Sequence, residues 1–462
     1  MGPGKHSTAS SPLAWVISTL ASSRKAVEDV IISAAPQAFK AFSGIIISVL
    51  MARGLGADGM GEYALVMSVS SFILGLSDLG IGQTAIRFAS RAAGQGNVKL
   101  QLAVLCWSFH RRMFAVLLLC VAGFFITPLV VEKLWHVDHL TPLVRLSLLI
   151  AVFGAIAAVP IIYFQSIKRF KMSALVGIGQ TLLLLVGVSL LAYLGNWSVN
   201  GVIVVTILAS AFSSAISVFL VPRSIFFNPM EGRGGAAGKG KLKNFWLVPG
   251  TASSGSENPG VFDGQSFAFF MMLSSVTVLL TMRADVWLMG LFLDTNQIGI
   301  YSVATRLTLP LVMLLGALNT ALWPRASSLI CREEIKKLLR KTFGISVAIA
   351  VCAVAYSIVA PLFIPWVFGS AYEGGILLAQ LLCLRYCISI LVCPVGVIGY
   401  SFGMVSVYWW INLCQLIVVV GINILLLPKV GVLGAAIALI LNEVIGLSLI
   451  LNNIREKLKT IS

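Results

Sequence analysis

The chain has 462 residues, of which 58% are hydrophobic and only 11% are charged, a balance that excludes an ordinary soluble domain. Its mean hydropathy of +0.97 indicates a protein embedded in a lipid bilayer. The net charge of +16 does not point to nucleic acid, because Lys and Arg are scattered over connecting segments rather than gathered on one domain. We therefore expect membrane lipids, and no nucleic acid, around this protein.

Apolar segments of helical spanning length recur along the chain and define its predicted elements. We predict spans at residues 30–52, 63–87, 113–131, 141–165, 173–194, 199–221, 265–293, 299–324, 342–368, 374–400, 405–427 and 431–452. The sequence therefore predicts an all-α membrane protein with about twelve transmembrane helices.

Basic residues between the spans are concentrated in alternate connections. In the other connections, Lys and Arg occur only at Arg53, Lys133 and Lys429, and these connections are short and mildly acidic. Loops rich in Lys and Arg stay on the cytoplasmic side of a membrane. We therefore expect both termini in the cytoplasm.

The longest connection, residues 222–264, is rich in Gly, Ser and Lys and has the composition of a flexible linker. It divides the chain into two halves of six spans each. The predicted segments are a cytoplasmic N-terminal segment 1–29, a six-helix bundle 30–221, a cytoplasmic linker 222–264, a second six-helix bundle 265–455, and a cytoplasmic tail 456–462.

The two halves resemble each other in sequence. Gly61-Glu62-Tyr63 opens the second span and Arg87 closes it, while Gly299-Ile300-Tyr301 opens the eighth span and Arg325 closes it at the same spacing. An even number of spans per half makes such a repeat parallel, with a pseudo-two-fold axis along the membrane normal. We expect the two bundles to surround a central cavity.

Several motifs, in order, resemble those of one transporter family. Residues 52–65 (ARGLGADGMGEYAL) are similar to the opening motif of Wzx-type polysaccharide flippases, with a modest departure at Gly-Met-Gly-Glu-Tyr, and residues 76–81 (LSDLGI) resemble its "DLG" element. Later motifs of the family are matched by residues 283–290, 298–304, 367–372 and 427–436. The resemblance covers about residues 30–455.

The resemblance implies a twelve-helix transporter of the multidrug/oligosaccharidyl-lipid/polysaccharide superfamily in a bacterial cytoplasmic membrane. Such a protein carries a polyprenyl-diphosphate-linked oligosaccharide from the inner to the outer leaflet by alternating access, for synthesis of cell-surface polysaccharide. The expected partners are this lipid-linked glycan, membrane lipids, and a polysaccharide polymerase with its assembly proteins. We expect a monomer.

Charged residues inside the spans are the functional candidates, because a charge at the bilayer centre costs about 3 kcal/mol or more. The candidates are the cations Lys40, Arg145, Arg283, Arg306 and Arg385 and the acids Asp78, Asp285 and Glu443. Five cations against three acids leave a positive interior, which suits the phosphate oxygens of a diphosphate. Arg145, near the outer end of its span, can reach the interface and is predicted to be structural. The predicted substrate-binding residues are Lys40, Arg283, Arg306 and Arg385.

The three acids are candidates for ion coupling by H⁺ or Na⁺ or for structural roles. We expect Asp78 to serve helix packing or a hinge, and Asp285 to bind a neighbouring helix. Glu443 is either a proton or cation site or a hydrogen-bonding partner of Asn442 or Asn412. We expect no cofactor and no metal site, since no His or acid accompanies the cysteines at ligand spacing.

Two rival functions follow from the same features. A cation-coupled multidrug antiporter on the same scaffold would need a cavity richer in acids than in bases, the reverse of this sequence. An enzyme acting on lipid-linked sugars would need a substantial outer loop with catalytic side chains, whereas the outer connections here are short. The sequence therefore predicts a transporter and not an enzyme.

Overall fold

The computed structural model describes residues 12–167, 169–227, 264–327, 332–401 and 405–460. All regular elements in these ranges are helical. In lipid, a spanning segment must satisfy its backbone hydrogen bonds internally, and a helix does this for a single segment. The hydrophobicity of the chain therefore dictates its helical class.

The first half of the chain contains seven helices within the described ranges. They are α1 (Pro12–Asp78), α2 (Ile81–Gly94), α3 (Val98–Pro128), α4 (Thr141–Ser166), α5 (Phe170–Leu194), α6 (Val199–Leu220) and the short α7 (Ser224–Phe227). A π-helical turn, Leu129–Leu134, extends α3, and a 3₁₀ turn, Asp138–Leu140, precedes α4.

The described part of the second half contains eight helices. They are α8 (Gly264–Phe292), α9 (Thr295–Arg306), α10 (Leu309–Ser327), α11 (Arg332–Val359), α12 (Ile364–Phe368), α13 (Gly375–Ser401), α14 (Val405–Val430) and α15 (Val432–Thr460). Two 3₁₀ turns, Ala360–Phe363 and Ser370–Tyr372, flank α12.

Ten helices in the described ranges are long and apolar enough to cross a membrane, and the bent pair Thr295–Arg306 with Leu309–Gly316 forms an eleventh candidate. The first candidate, Phe39–Asp78, has 40 residues and is about 60 Å long, twice the thickness of the hydrocarbon core. It is interrupted at Gly56, whose φ of 69° and ψ of −177° are essentially restricted to glycine. Counting the two parts separately is consistent with twelve spans.

Some predicted boundaries differ from the structure. The predicted outer connection 53–62 is helical except at Gly56, and the second span ends at Asp78 rather than at residue 87. The predicted loop before the third span is instead α2 followed by the first turns of α3, which begins at Val98. The eighth predicted span is bent by 44° between α9 and α10. An interruption or bend of a helix inside a long apolar run does not change the hydrophobicity of that run. The hydropathy pattern therefore could not locate these interruptions.

The predicted bundle limits stay predictions. The first helix already begins at Pro12, inside the predicted N-terminal segment, and α15 continues to Thr460, beyond the predicted end of the second bundle. Most of the predicted linker, residues 228–263, lies outside the described residues.

The two halves meet through equivalent residues. Asp58 Oδ2 accepts a hydrogen bond of 3.4 Å from Asn296 Nδ2, and these residues are 238 positions apart, like the repeated Gly61 and Gly299. A Cβ atom at Gly61 would overlap with the carbonyl oxygen of Thr295, and one at Gly299 would overlap with that of Ala57. Such reciprocal contacts define a two-fold relation. The small residues let α1 and α9 pack backbone against backbone on the pseudo-two-fold axis.

Further contacts close the halves on the side of the predicted outer connections. Arg53 donates from Nε to the carbonyl of Val367 (2.9 Å) and from Nη2 to that of Trp366 (2.7 Å). Tyr372 Oη donates to the carbonyl of Ala52 at 3.0 Å. The molecule is therefore closed on this side, and its cavity lies toward the opposite side.

Candidate functional site

The cavity between the halves has a volume of about 820 Å³. In the first half it is lined by the end of α1 and the beginning of α2, and in the second half by α8, α10, α13, α14 and α15. The charged and polar lining residues are Asp78, Gln83, Ser274, Ser275, Asn319, Ser389, Tyr408, Asn412, Gln415 and Glu443. The wall therefore offers many amide and hydroxyl groups.

Hydrogen bonds hold several of these polar side chains in place. Asn412 Nδ2 donates to Ser274 Oγ at 2.6 Å and links α14 to α8. Gln415 Nε2 donates to the carbonyl of Asn442 at 3.2 Å. Because each amide also keeps an oxygen acceptor, the wall can accept hydrogen bonds from a ligand without rearrangement.

Charged residues gather at the closed end of the cavity. Met282 on α8 and Ser389 on α13 are the last residues of these helices that line the cavity toward its closed end. Arg283 and Arg385 lie within the next turn of the same helices, beyond the cavity lining. Arg385 Nε pairs with Glu443 Oε1 at 3.2 Å, with the two side chains 23% and 19% exposed. The structure thus joins one predicted cation to one predicted acid.

Asp285 and Tyr301 form a second polar pair beside this end. Asp285 is 7% exposed, accepts a hydrogen bond from the hydroxyl of Tyr301 on α9, and accepts another from the backbone N–H of Val286. Tyr301 is itself buried. The pair links α8 to α9, so Asp285 binds a neighbouring helix.

Arg283 and Arg306 lack a hydrogen-bond partner at Nε. Arg112 Nε lacks one too, but Arg112 pairs with Asp78 through Nη1. Arg283 and Arg306 each bury this Nε atom with no partner among the described residues. Their charges are close enough to interact, and the charge of Arg306 also acts on Tyr63 of the first half. A buried donor without a partner costs about 1–3 kcal/mol, so these two guanidinium groups are poised to bind an anion.

Lys40 lies apart from these arginines. Its side chain is half-buried, and a Cβ atom at Gly177 on α5 would overlap with its ammonium group. Within the described residues it pairs with no acid, and like the three predicted arginines it is not among the residues that line the cavity. The structure therefore places Arg283 close to Arg306, and it places Arg283 and Arg385 close to Asp285. Lys40 lies on the other half.

Asp78 ends α1 and connects it to two other helices. It accepts a hydrogen bond from the backbone N–H of Gly82 at 3.2 Å and pairs with Arg112 at 3.4 Å. Sequence reasoning missed Arg112 because it placed residues 111 and 112 in a loop. The apolar run at residues 100–107, just before them, was the available signal that α3 begins earlier.

Arg145 lies outside the site, near the first turn of α4. Its Nε donates to the carbonyl of Phe124 at 3.3 Å, and its guanidinium lies 4.4 Å from the Phe124 ring. Arg145 therefore does not contribute to the positive interior that the sequence predicts. No group of three or more His, Cys, Asp or Glu residues in the described ranges could hold a metal ion.

Comparisons with known proteins agree with this architecture. The chain has 27% identity over 194 residues to a protein named "Probable flippase AglR" from Haloferax volcanii, and the match covers 38% of each chain. The lipid II flippase MurJ in an inward closed conformation has a TM-score of 0.69 and 14% identity, with 92% of this chain and 87% of that chain covered.

Two further solved structures share the fold. An inward-facing multidrug resistance MATE family transporter of the MOP superfamily has a TM-score of 0.66 and 13% identity, with 91% of this chain and 95% of that chain covered. A MOP superfamily transporter from Pyrococcus furiosus has a TM-score of 0.57 and 14% identity, with 93% and 94% covered. These matches confirm the predicted two-lobed, all-α membrane fold.

A family model described as "Polysaccharide biosynthesis protein" matches residues 26–330, well over half of the chain. Together with the flippase relative and the fold, it confirms the predicted resemblance and points to a transporter rather than a catalytic enzyme. The chain belongs to the polysaccharide biosynthesis protein family.

Proposed function

We propose that this protein is a flippase that moves a polyprenyl-diphosphate-linked oligosaccharide from the inner to the outer leaflet of the bacterial cytoplasmic membrane, for synthesis of cell-surface polysaccharide. Its family and its flippase relatives support a lipid-linked substrate. The proposal includes cytoplasmic termini, as the distribution of basic residues predicts.

The observation that carries the proposal is a pair of arginines with an unpartnered Nε: Arg283 next to the closed end of the cavity, and Arg306 near enough for its charge to act on Arg283. Arg283 and Arg306 each bury an Nε donor that no described group satisfies. A diphosphate offers several charged acceptors and binds guanidinium groups through short, strong hydrogen bonds. Headgroup binding would therefore offset the cost of burying these two donors.

The cavity wall supports the sugar part of the proposal. Its amides and hydroxyls, among them Asn319, Asn412 and Gln415, match the alternating donors and acceptors of carbohydrate hydroxyl groups. The volume of about 820 Å³ lies in the range of pockets that enclose small organic ligands. The glycan would lie in the cavity with its diphosphate toward the closed end.

Alternating access would proceed by rocking of the two halves about the pseudo-two-fold axis. The contact of Gly61 with α9 closes one side, and the cavity lies toward the other. We include H⁺ or Na⁺ as coupling ion in the proposal. Glu443 supports this, because it lines the cavity and its partner Arg385 could turn to a bound anion instead.

A cation-coupled multidrug antiporter is the second candidate, and one observation favours it. The charged residues that line the cavity directly, Asp78 and Glu443, are both acids. However, Arg112 pairs with Asp78 and Arg385 pairs with Glu443, which reduces their attraction for a cation. Arg283 and Arg306, each with a buried and unpartnered Nε, therefore make an anionic headgroup the better match.

The test is translocation of a fluorescent polyprenyl-diphosphate oligosaccharide in proteoliposomes. We expect Arg283→Ala and Arg306→Ala each to slow translocation by about tenfold or more, the loss of one charge-assisted hydrogen bond. Lys40→Ala tests the separate prediction that this residue contacts the substrate. Arg145→Ala is the matched control, because this arginine binds Phe124 outside the cavity.

Wild-type rates in folded Arg283→Ala and Arg306→Ala proteins would show that the arginines are not the diphosphate site. An absence of translocation, in vesicles that exchange a cationic dye for protons, would assign the protein to the antiporters instead.

A further inference from the structure

A second cavity lies between the two halves, further along α8 than the first. It has a volume of about 410 Å³ and an almost entirely apolar surface. The lining residues are Val130, Leu134, Trp135, Leu280, Ala284, Trp287, Leu288, Leu291, Leu416 and Val420. We call this cavity the apolar groove. Its walls are the extended end of α3 from the first half and α8 with α14 from the second.

Two tryptophans of the apolar groove direct their polar atoms away from it. Trp135 Nε1 donates to the carbonyl of Trp287 at 3.3 Å, and Trp287 Nε1 donates to Ser68 Oγ at 3.0 Å. Both indole N–H groups are therefore satisfied within the protein, and the rings contribute apolar surface. A groove without free donors or acceptors suits a hydrocarbon and repels water.

One helix face joins the apolar groove to the central cavity. Leu279, Arg283 and Trp287 follow each other at intervals of four residues on α8, so they form one row along its surface. Leu279 lines the cavity and Trp287 lines the apolar groove. Arg283, with its unpartnered Nε, lies between them. An anionic group at Arg283 would thus stand at the junction of a polar and an apolar compartment.

We propose that the apolar groove binds the first isoprene units of the substrate's polyprenyl chain while the diphosphate lies at Arg283. This inference rests on the proposed function and adds the site of the lipid part. A molecule with a glycan, a diphosphate and a hydrocarbon tail matches the sequence of compartments along α8: polar cavity, arginine, apolar groove.

Shape, and not hydrophobicity, must give the apolar groove its selectivity. Lipid tails are as apolar as the groove, so moving an isoprene chain from the bilayer into the groove gains little hydrophobic free energy. Binding therefore depends on van der Waals contact between the chain and the groove. A bulky side chain inside the groove should therefore remove binding even though it leaves the surface apolar.

The experiment is photo-crosslinking of the full-length protein in proteoliposomes. The probe is a polyprenyl diphosphate N-acetylglucosamine with a diazirine in an isoprene unit near the diphosphate, and labelled peptides are mapped by mass spectrometry. We expect label on residues 280–291 of α8 and 416–420 of α14, and we expect excess unlabelled polyprenyl diphosphate to remove it. A phosphatidylcholine carrying the same diazirine is the control probe. Any label that it leaves on these segments should not decrease when unlabelled polyprenyl diphosphate is added.

Ala284→Trp and Leu291→Trp should each reduce the groove label by about tenfold, as expected when a well-packed site is overfilled. Leu291 is 37% exposed, so its variant should fold even where the change at buried Ala284 does not. Val351→Trp is the control, because Val351 is 65% exposed on α11 and lies outside the groove. It should keep the wild-type label.

Equal labelling by phosphatidylcholine, unaffected by polyprenyl diphosphate, would show a bulk-lipid contact and overturn the inference. Translocation that proceeds in both tryptophan variants at the wild-type rate would overturn it as well, while leaving the proposed function intact. Absence of translocation by the wild-type protein is instead the result that contradicts the proposed function.

Discussion

Substitution of Gly299 by alanine tests the contact that closes the molecule. The new Cβ atom would overlap with the carbonyl oxygen of Ala57 across the pseudo-two-fold axis. Backbone atoms cannot turn aside as a side chain can, so α1 and α9 would have to move apart. Overfilling of a well-packed contact costs about 1–3 kcal/mol.

This destabilisation applies only to the closed conformation, in which α1 and α9 are in contact. Alanine also favours the helix by up to about 1 kcal/mol over glycine, but that gain applies in every conformation that keeps α9 helical. The closed state should therefore lose about 1–3 kcal/mol relative to a state in which the halves separate on this side. The population of the separated state should rise by a factor of about 5 to 150.

The assay is a distance measurement by electron spin resonance between spin labels at Lys133 and Glu373. These residues are exposed, belong to opposite halves, and lie on the side of the closing contacts. A background without the eight native cysteines is required for labelling. We expect Gly299→Ala to increase the fraction of long distances.

Gly44→Ala is the matched control, because it lies in α1 and a Cβ atom there has no neighbour within 4 Å. It gains the same helix propensity without the overlap, and should keep the wild-type distances. If Gly299→Ala gives the same distance distribution as Gly44→Ala, the backbone contact does not hold the halves together.

Two further predictions concern the polar pairs at the closed end of the cavity, and both are checked by thermal unfolding of the detergent-solubilised protein. Glu443→Leu leaves Arg385 without its carboxylate and should cost about 1–3 kcal/mol, less than for a fully buried pair because both side chains are about one fifth exposed. The double variant Arg385→Met/Glu443→Leu should recover most of this loss, and a larger loss would argue against the pair. Tyr301→Phe removes a donor from buried Asp285 and should cost about 1–3 kcal/mol, whereas Tyr193→Phe, at a residue 88% exposed, should not. Equal unfolding temperatures for the two tyrosine variants would contradict the assignment.

Composition and hydrophobic periodicity were enough to predict the class of fold and most of the spans. Long apolar runs can only be satisfied as helices in lipid, so the span pattern follows from composition and periodicity. The repeat of the two halves could also be predicted from the sequence, because Gly61 and Gly299 have similar neighbouring residues. The structure shows why those glycines matter, since they meet on the pseudo-two-fold axis.

The partners of the charged residues depend on how the helices pack, and they could not be predicted from the sequence. Sequence identified Arg385 and Glu443 as charges inside spans, but their ion pair joins residues 58 positions apart. Arg112 was missed. The position of Arg145 near the end of its span separated it from Arg283, but only the fold shows that Arg145 binds Phe124. The apolar groove had no sequence signal, because its residues look like any other lipid-facing residues. A helix fixes which residues share a face, whereas the meeting of two faces depends on the packing of all the helices together.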